Sequence, residues 1–375
     1  MYGYSEGEPT LTSCEEVTGE RCIVVSRSTY PGVQKYIGHW LGDNSSIWRH
    51  LKQGLIGTLE FSLFGFSYTG PDICGFFGEA EEEMCIRWMQ LGSFFVYSRN
   101  HNGLNNRRQD PAAWSPGAVA SMKSVLEDRY RLLPYLYTLM YRAHVFGDMV
   151  VTPLFANFPN DENTWGIDEQ MMWGGGLLIS PVLTSGARTV TSYFPRARWY
   201  DFYNGAEVGG VEKWAQLSAP LYFINIHLCG GHILPIQHPS ITTMDSRTNP
   251  LGIIVSLDSN GEATGELYWD EGNTINPLET GKYTLVEFNF TADTLTSNIK
   301  VGTITREHHK NRDEYFDLNF THVILNGIGG TVVEITINGI QLDSNKWKTS
   351  STNQVVIDEI LLPLTEQFEI IYRLL

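Results

Sequence analysis

The chain has 375 residues with 42 acidic against 26 basic side chains, and the resulting net charge of −16 repels phosphate backbones and anionic headgroups, so nucleic acid is not an expected partner. The length predicts two or three domains, and the 42% hydrophobic and 12% aromatic content describes a folded soluble protein whose rings suit stacking on sugar faces as well as core packing. No run of about 18 apolar residues could span a bilayer, and MYGYSEGEPT lacks the basic start and apolar stretch of a signal peptide, so no targeting signal is expected in this chain and any membrane anchor would lie outside it.

In chain order, RCIVVSRS (21–28) predicts a short strand with a polar tip, and SSIWRHLKQGLIG (45–57) a helix with Ser in a capping position. LEFSLFGFSY (59–68) has the composition of another strand. The acids opening AEEEMCIRWMQLGSFF (80–95) suit a helix start, and Met84, Trp88, Leu91 and Phe95 mark one buried face. VYSRNHN gives a further strand tip, and 115–147 predicts one long helix kinked at Pro134, with Val119, Met122, Leu126 and Leu133 on one side. Strand and helix alternating in this way predict a parallel α/β unit with its chemistry at the carboxyl ends of the strands. Beyond 152, short apolar runs such as GLLISPVL, RTVTSYFP, LGIIVSLD and GTVVEITING alternate with Gly, Pro, Asn and Asp clusters, as antiparallel β-structure does, and PIQHPSITTMDSRTNP marks a second boundary near 235–245.

Five cysteines stand at 14, 22, 74, 85 and 229 without metal-binding spacing, and neither a metal nor a cofactor is expected. Two local pairs would leave Cys229 over. A Cys74–Cys85 bond would contribute on the order of 3 kcal/mol in an oxidising compartment. Asn-x-Ser/Thr triplets at Asn44, Asn289 and Asn319 point to the same extracellular or luminal setting.

Four polar residues follow predicted strands: Arg27, Asp43, Asp72 and His101. Taken singly, each has an ordinary structural reading as a turn carboxylate, a surface cation or a hydrogen-bonded histidine. Four such tips on consecutive strands, beside Trp40, Phe76 and Phe77, make a pocket that packing alone does not explain.

RSTYPGVQKYIGHWLGDN, GTLEFSLFGFSYTGPDICGFF, EEEMCIRWMQLG and SRNHN closely resemble glycoside hydrolase family 31, in particular its α-glucosidases of the maltase-glucoamylase, sucrase-isomaltase and acid α-glucosidase group. The resemblance implies the carboxyl-terminal half of a (β/α)8 barrel (1–152) followed by two antiparallel β-sandwich domains (153–238 and 239–375). It implies that Asp43 is the general acid/base and that Arg27 and His101 hydrogen-bond the glucose hydroxyls. Trp40 and Phe76 would wall the pocket, Asp72 would support this shell by pairing with Arg27, and Cys74 and Cys85 would be disulfide-bonded. A glycan on Asn44 would block the site, which leaves Asn289 and Asn319 as the glycosylation candidates. The implied ligands are α-glucoside oligosaccharides such as maltose, and the implied setting of the full-length protein is extracellular, membrane-tethered or lysosomal.

A retaining glycosidase also needs a second carboxylate as nucleophile, roughly 5 to 5.5 Å from the acid/base. The family carries it in a WxDMNE-like motif upstream of the Arg27 segment, and the 26 residues before Arg27 contain none. The look-alike WYDFYN (199–204) falls in the β-rich region, so Asp201 is not expected to be the nucleophile. Three readings follow: an α-glucosidase fragment lacking its nucleophile segment, a non-catalytic sugar-binding or scaffolding product, or a chain complementing an upstream barrel half.

Overall fold

A computed structural model describes residues 1–209, 212–309 and 314–375. The chain divides into two compact units: Met1–Arg129 with Arg142–Pro195 and Glu212–Asn225, and Tyr130–Tyr141 with Arg196–Val211 and Ile226–Leu375.

The first unit opens with a helix that the sequence reading did not anticipate, α1 (Tyr2–Thr18), which carries Pro9 within it and ends at Gly19 in the left-handed conformation. Strands β1 (Val25–Ser26), β2 (Gly38–Trp40) and β3 (Thr69–Gly70) pair in parallel, and β4 (Asp72–Ile73) pairs in parallel with β5 (Arg99–Asn100). Only Pro71 separates β3 from β4. One extended stretch therefore meets β2 through its first half and β5 through its second. The result is four successive parallel strand tips, half the number a closed eight-stranded barrel requires.

Three expectations fail here for physical reasons. LEFSLFGFSY is not a strand, because helix α2 runs Trp48–Leu63 and buries Leu51, Leu55, Thr58, Leu59 and Ser62 along one face. The phenylalanines that suggested a strand serve packing instead: Phe61 stacks on His39 at 3.6 Å and the chain turns at Gly65, whose φ is 90°. Helix α3 (Glu82–Gly92) has no exposed face opposite its buried one, since every residue from Met84 to Gly92 is buried. The predicted long kinked helix is two helices, α4 (Pro116–Arg131) and α5 (Leu133–Phe146). Pro134 lies in the first turn of α5, where its missing N–H costs nothing, and its ring bars the continuation of α4. The buried positions of α4 are Ala118, Ser121, Met122 and Val125, with Val119 and Leu126 half-buried.

Later in the first unit, β6 (Val151–Thr152), β7 (Met171–Trp173) and β8 (Leu177–Ser180) form an antiparallel meander, and β9 (Thr189–Phe194) pairs with Lys213–Ser218. Buried Arg87 of α3 donates through its two terminal nitrogens to the carbonyls of Ala187, Ala219 and Phe223 at 2.7 to 3.3 Å, bonds made without a carboxylate.

The second unit centres on a large sheet whose alternate residues, including Leu267 and Trp269, Val286, Phe288 and Phe290, Val323 and Leu325, and Ile370, face one apolar core. The sheet is mixed rather than purely antiparallel: His232–Gln237 runs parallel to Ala263–Asp270, and Leu251–Ser256 parallel to Asn319–Asn326. His232–Gln237 also pairs with Leu251–Ser256, so hydrogen bonding crosses the expected boundary at 238. Within this unit Tyr137 donates to both carboxylate oxygens of fully buried Asp270 at 2.7 and 2.9 Å, and Tyr268 donates to Oδ2 at 2.9 Å. Asp201 accepts the backbone N–H groups of Tyr203 and Asn204, so it closes its own turn, as expected of a non-catalytic strand end.

Candidate active site

The predicted catalytic and substrate-binding residues all lie in the first unit, in or just beyond its short parallel strands, while the glycan candidates Asn289 and Asn319 lie in the second. Arg27 follows β1, Trp40 ends β2, Asp43 lies three residues on, Asp72 opens β4 and His101 follows β5. Parallel pairing within the β1–β2–β3 and β4–β5 ladders, joined through Pro71, gives these tips a common direction.

Asp72 is the fixed point, with no exposed surface. Its Oδ1 accepts from Arg99 Nη2 at 2.5 Å and from the Trp40 indole N–H at 3.0 Å. The expected pairing with Arg27 is therefore corrected: Arg99, one strand over, is the ionic partner, because β4 and β5 place Asp72 and Arg99 in register. Burial pushes the Asp72 carboxyl above its ordinary range, and Arg99 pulls in the opposite direction. Arg99 was visible in SRNHN but gave no signal of its own. Only the parallel register reveals its role.

The Trp40 ring is flanked by two guanidiniums, Arg99 at 5.1 Å and Arg27 at 5.9 Å from its centroid. Arg27 is exposed, and its place is defined from behind by Gly42: a Cβ there would lie 2.6 Å from Arg27 Nε. Gly42 also has a φ of 86°, which other residues adopt only with strain. Asp43 follows directly. It is half-buried, and among the described residues no side chain pairs with or hydrogen-bonds its carboxylate.

Asn44 fastens this loop to the next. Its Nδ2 donates to the Asp72 carbonyl at 2.8 Å and its Oδ1 accepts the Phe76 N–H at 3.0 Å. The amide nitrogen that a glycan would occupy is thus engaged by the Asp72 carbonyl. Phe76 packs against His101 with centroids 5.2 Å apart and against Phe77 edge-on at 4.8 Å. Gln109, which the sequence reading passed over, holds the far side. Its Nε2 donates to the carbonyls of Ile73, Gly75 and His101 at 3.0 to 3.2 Å, drawing the tips of β4 and β5 together. Cys74 and Cys85 form a disulfide directly after β4, Cys14 and Cys22 form a second, and Cys229 is free and buried.

Among the described residues, buried Asp72 Oδ2, Arg99 Nε and Gln109 Oε1 have no hydrogen-bond partner here, as is also true of Thr69 Oγ1 on β3 and Arg87 Nε on α3. Buried groups left unsatisfied are rare in folded proteins and concentrate where a ligand or water completes the bonding. Around the first three stand a carboxylate without a side-chain partner, an exposed guanidinium, an exposed imidazole and two aromatic faces. That set can hold a neutral polyhydroxylated ring and exchange a proton with it. Among the described residues no cluster of three or more His, Cys, Asp or Glu side chains is disposed to hold a metal ion.

Residues 1–139 match the TIM-barrel domain of the glycosyl hydrolases of family 31, and residues 147–234 match the C-terminal domain of that family. The chain belongs to glycosyl hydrolase family 31. Among its family 31 relatives, the probable maltase-glucoamylase 2 of Homo sapiens is 44% identical over 95% of this chain and 14% of its own length. The lysosomal alpha-glucosidase of Mus musculus is 39% identical over 99% of this chain and 40% of its own. A solved structure of the glucosidase II alpha subunit with bound alpha3-Glc2 superposes with a TM-score of 0.87 at 26% identity, covering 99% of this chain and 42% of that one. The chain thus spans less than half the length of these family 31 proteins.

Proposed function

We propose that the strand-tip cluster is the acid/base half of the active site of a retaining α-glucosidase that releases glucose from maltose-like oligosaccharides. The observation that carries this reading is the half-buried Asp43 carboxylate, without a side-chain partner among the described residues, in the loop between Trp40, with Arg27 on its ring, and Asn44, which anchors Phe76. A group that must donate a proton to a glycosidic oxygen and later take one from water cannot be committed to a permanent ion pair. In the first step the Asp43 proton passes to the departing oxygen as the C1–O bond breaks and a carboxylate captures C1 on the opposite face. In the second, Asp43 removes a proton from water, which attacks C1 and displaces that carboxylate, so glucose leaves with its configuration retained. Arg27 and His101 bond the sugar hydroxyls, Trp40 and Phe76 receive its C–H faces, and Asp72 with Arg99 fixes Trp40. The nucleophile is supplied by chain outside these 375 residues, since Asp201 is committed to its own turn.

The accompanying reading of the whole is a barrel part (1–152), a proximal β-domain (153–238) and a distal β-domain (239–375), with His232–Gln237 paired across the second boundary. The two disulfides favour a luminal or extracellular setting. Asn289, exposed on its strand, and Asn319 are the glycan acceptors in this reading. No helix among the described residues is long and apolar enough to cross a membrane.

Titration of the chain with glucose and maltose tests the site. The expected result is saturable binding without turnover, weakened at least about tenfold by Arg27→Ala and by His101→Ala. Turnover of maltose by this chain alone would refute the external nucleophile, and binding insensitive to Arg27 would refute the pocket. Binding that stays unproductive even when an upstream barrel half is supplied would favour the sugar-binding alternative.

A further inference from the structure

Outside the strand-tip site, the first unit carries two indoles that are well fixed and largely open to solvent. Trp214, on Lys213–Ser218, is 54% exposed, and Trp165, which follows the short helix Glu162–Thr164 ahead of β7, is 60% exposed. Neither is a loose surface ring. Trp214 lies opposite Tyr193 of β9 in the antiparallel ladder and packs on it with centroids 5.1 Å apart. Tyr193 is itself buried, and its hydroxyl donates to Asp161 Oδ2 at 2.7 Å while accepting from Asn163 Nδ2 at 3.1 Å. Asn163 is tied in turn to Asp161 Oδ1 at 2.9 Å, and two residues further on Trp165 donates its indole N–H to the Pro159 carbonyl at 3.1 Å. Trp214 is thus braced by a ring that this network fixes, and Trp165 is braced separately, by its own bond to Pro159, on the segment that carries Asp161 and Asn163; both keep ring surface toward solvent.

Bracing matters energetically. A ring already held in place loses little freedom when a flat ligand stacks on it, so more of the stacking energy appears as affinity. The acidic chain disfavours an anionic ligand, and open indole faces suit the C–H face of a neutral sugar. We propose that Trp214 and Trp165 form a surface site, separate from the strand-tip pocket, that holds a neutral α-glucan chain by stacking on its glucose units. The choice of α-glucan rests on the functional reading above. Holding a polymer at a second point on the same unit raises the local concentration of its chain ends near the pocket.

The test is affinity electrophoresis of the whole chain through gels containing soluble amylopectin, run beside titration with free glucose. Retardation should persist in Arg27→Ala, fall about tenfold in apparent affinity in Trp214→Ala and in Trp165→Ala, and be largely kept by Trp214→Phe, which still covers Tyr193. Glucose binding should be unchanged in all three tryptophan variants. Unchanged retardation in the alanine variants, absence of retardation in the wild-type chain, or retardation lost only with Arg27 would each overturn the proposal. Loss of glucose binding with retained, tryptophan-dependent retardation would instead overturn the pocket and leave the surface site standing.

Discussion

Two buried aspartates, one in each unit, show how the same residue type serves opposite ends. Asp270 in the second unit is saturated: two tyrosine hydroxyls and the Gly272 N–H occupy its oxygens. Asp72 in the first unit has one oxygen shared by Arg99 and Trp40 and the other without a partner. A saturated carboxylate in a dry interior holds a helix to a sheet and has nothing left to offer. An incompletely satisfied one, beside the open strand tips of Arg27 and His101, has an oxygen that a ligand could still engage.

The most forceful way to break this comparison is to remove the saturated carboxylate. Asp270→Ala leaves the Tyr137 and Tyr268 hydroxyls without their acceptor and should cost about 3 to 4 kcal/mol in denaturant unfolding, with glucose binding at native conditions unchanged. Reduced binding in folded protein would show that the units are not functionally distinct.

Each unit also holds a histidine that burial keeps neutral. His39 in the first and His227 in the second are both pushed from an ordinary value of 6.5 down to about 4 by loss of water. The unfolded chain binds protons more readily at both positions, so their contribution is complete above pH 6.5 and is lost as pH falls toward 4. Each amounts to roughly 3 kcal/mol over that window. Melting curves between pH 7 and 4 should show the decline, and His39→Gln should make it shallower, with His227 and the likewise lowered His232 and His238 sustaining the rest; an unaltered slope would contradict the assignment.

Gly42→Ala sharpens the picture of the site itself. The added methyl group meets the Arg27 guanidinium and strains a left-handed backbone, so glucose affinity should fall about tenfold. The smallest stability effect is expected from Asp72→Asn. Arg99 is 37% exposed and can turn to water, so unfolding free energy should fall by only about 1 kcal/mol, while glucose binding weakens more than in Asp270→Ala. Isothermal titration with parallel denaturant melts separates the two.

Arg27 and His101 could be placed from short apolar runs that end in polar residues, whereas Asp72, expected after a strand at 59–68 where helix α2 ends instead, and the roles of all the site residues rested on the family 31 resemblance. Arg27, Trp40, Asp43, Asp72, Phe76 and His101 all lie in or just beyond the first unit's short parallel strands. What could not be read was pairing. Asp72 meets Arg99 rather than Arg27 because parallel register decides which tips are neighbours, and register is a tertiary property. Gln109 acts only through three backbone carbonyls, which no side-chain pattern announces. The strand predicted at 59–68 failed because β-favouring phenylalanines were recruited to pack a helix onto His39. In the second unit, alternation showed the strands plainly and concealed their parallel pairings, since a residue's burial does not depend on its neighbour's direction.

The central claim is that Asp43 is an acid/base whose partner carboxylate lies elsewhere. Added azide can take the place of that carboxylate, attacking C1 of maltose while Asp43 protonates the departing glucose oxygen. We predict that the chain forms β-glucosyl azide from maltose in the presence of azide, and that Asp43→Asn slows this at least about a hundredfold, with a smaller effect for p-nitrophenyl α-glucoside, whose leaving group needs little protonation. An Asp43→Asn chain that forms the azide product from maltose at the unaltered rate would contradict the account.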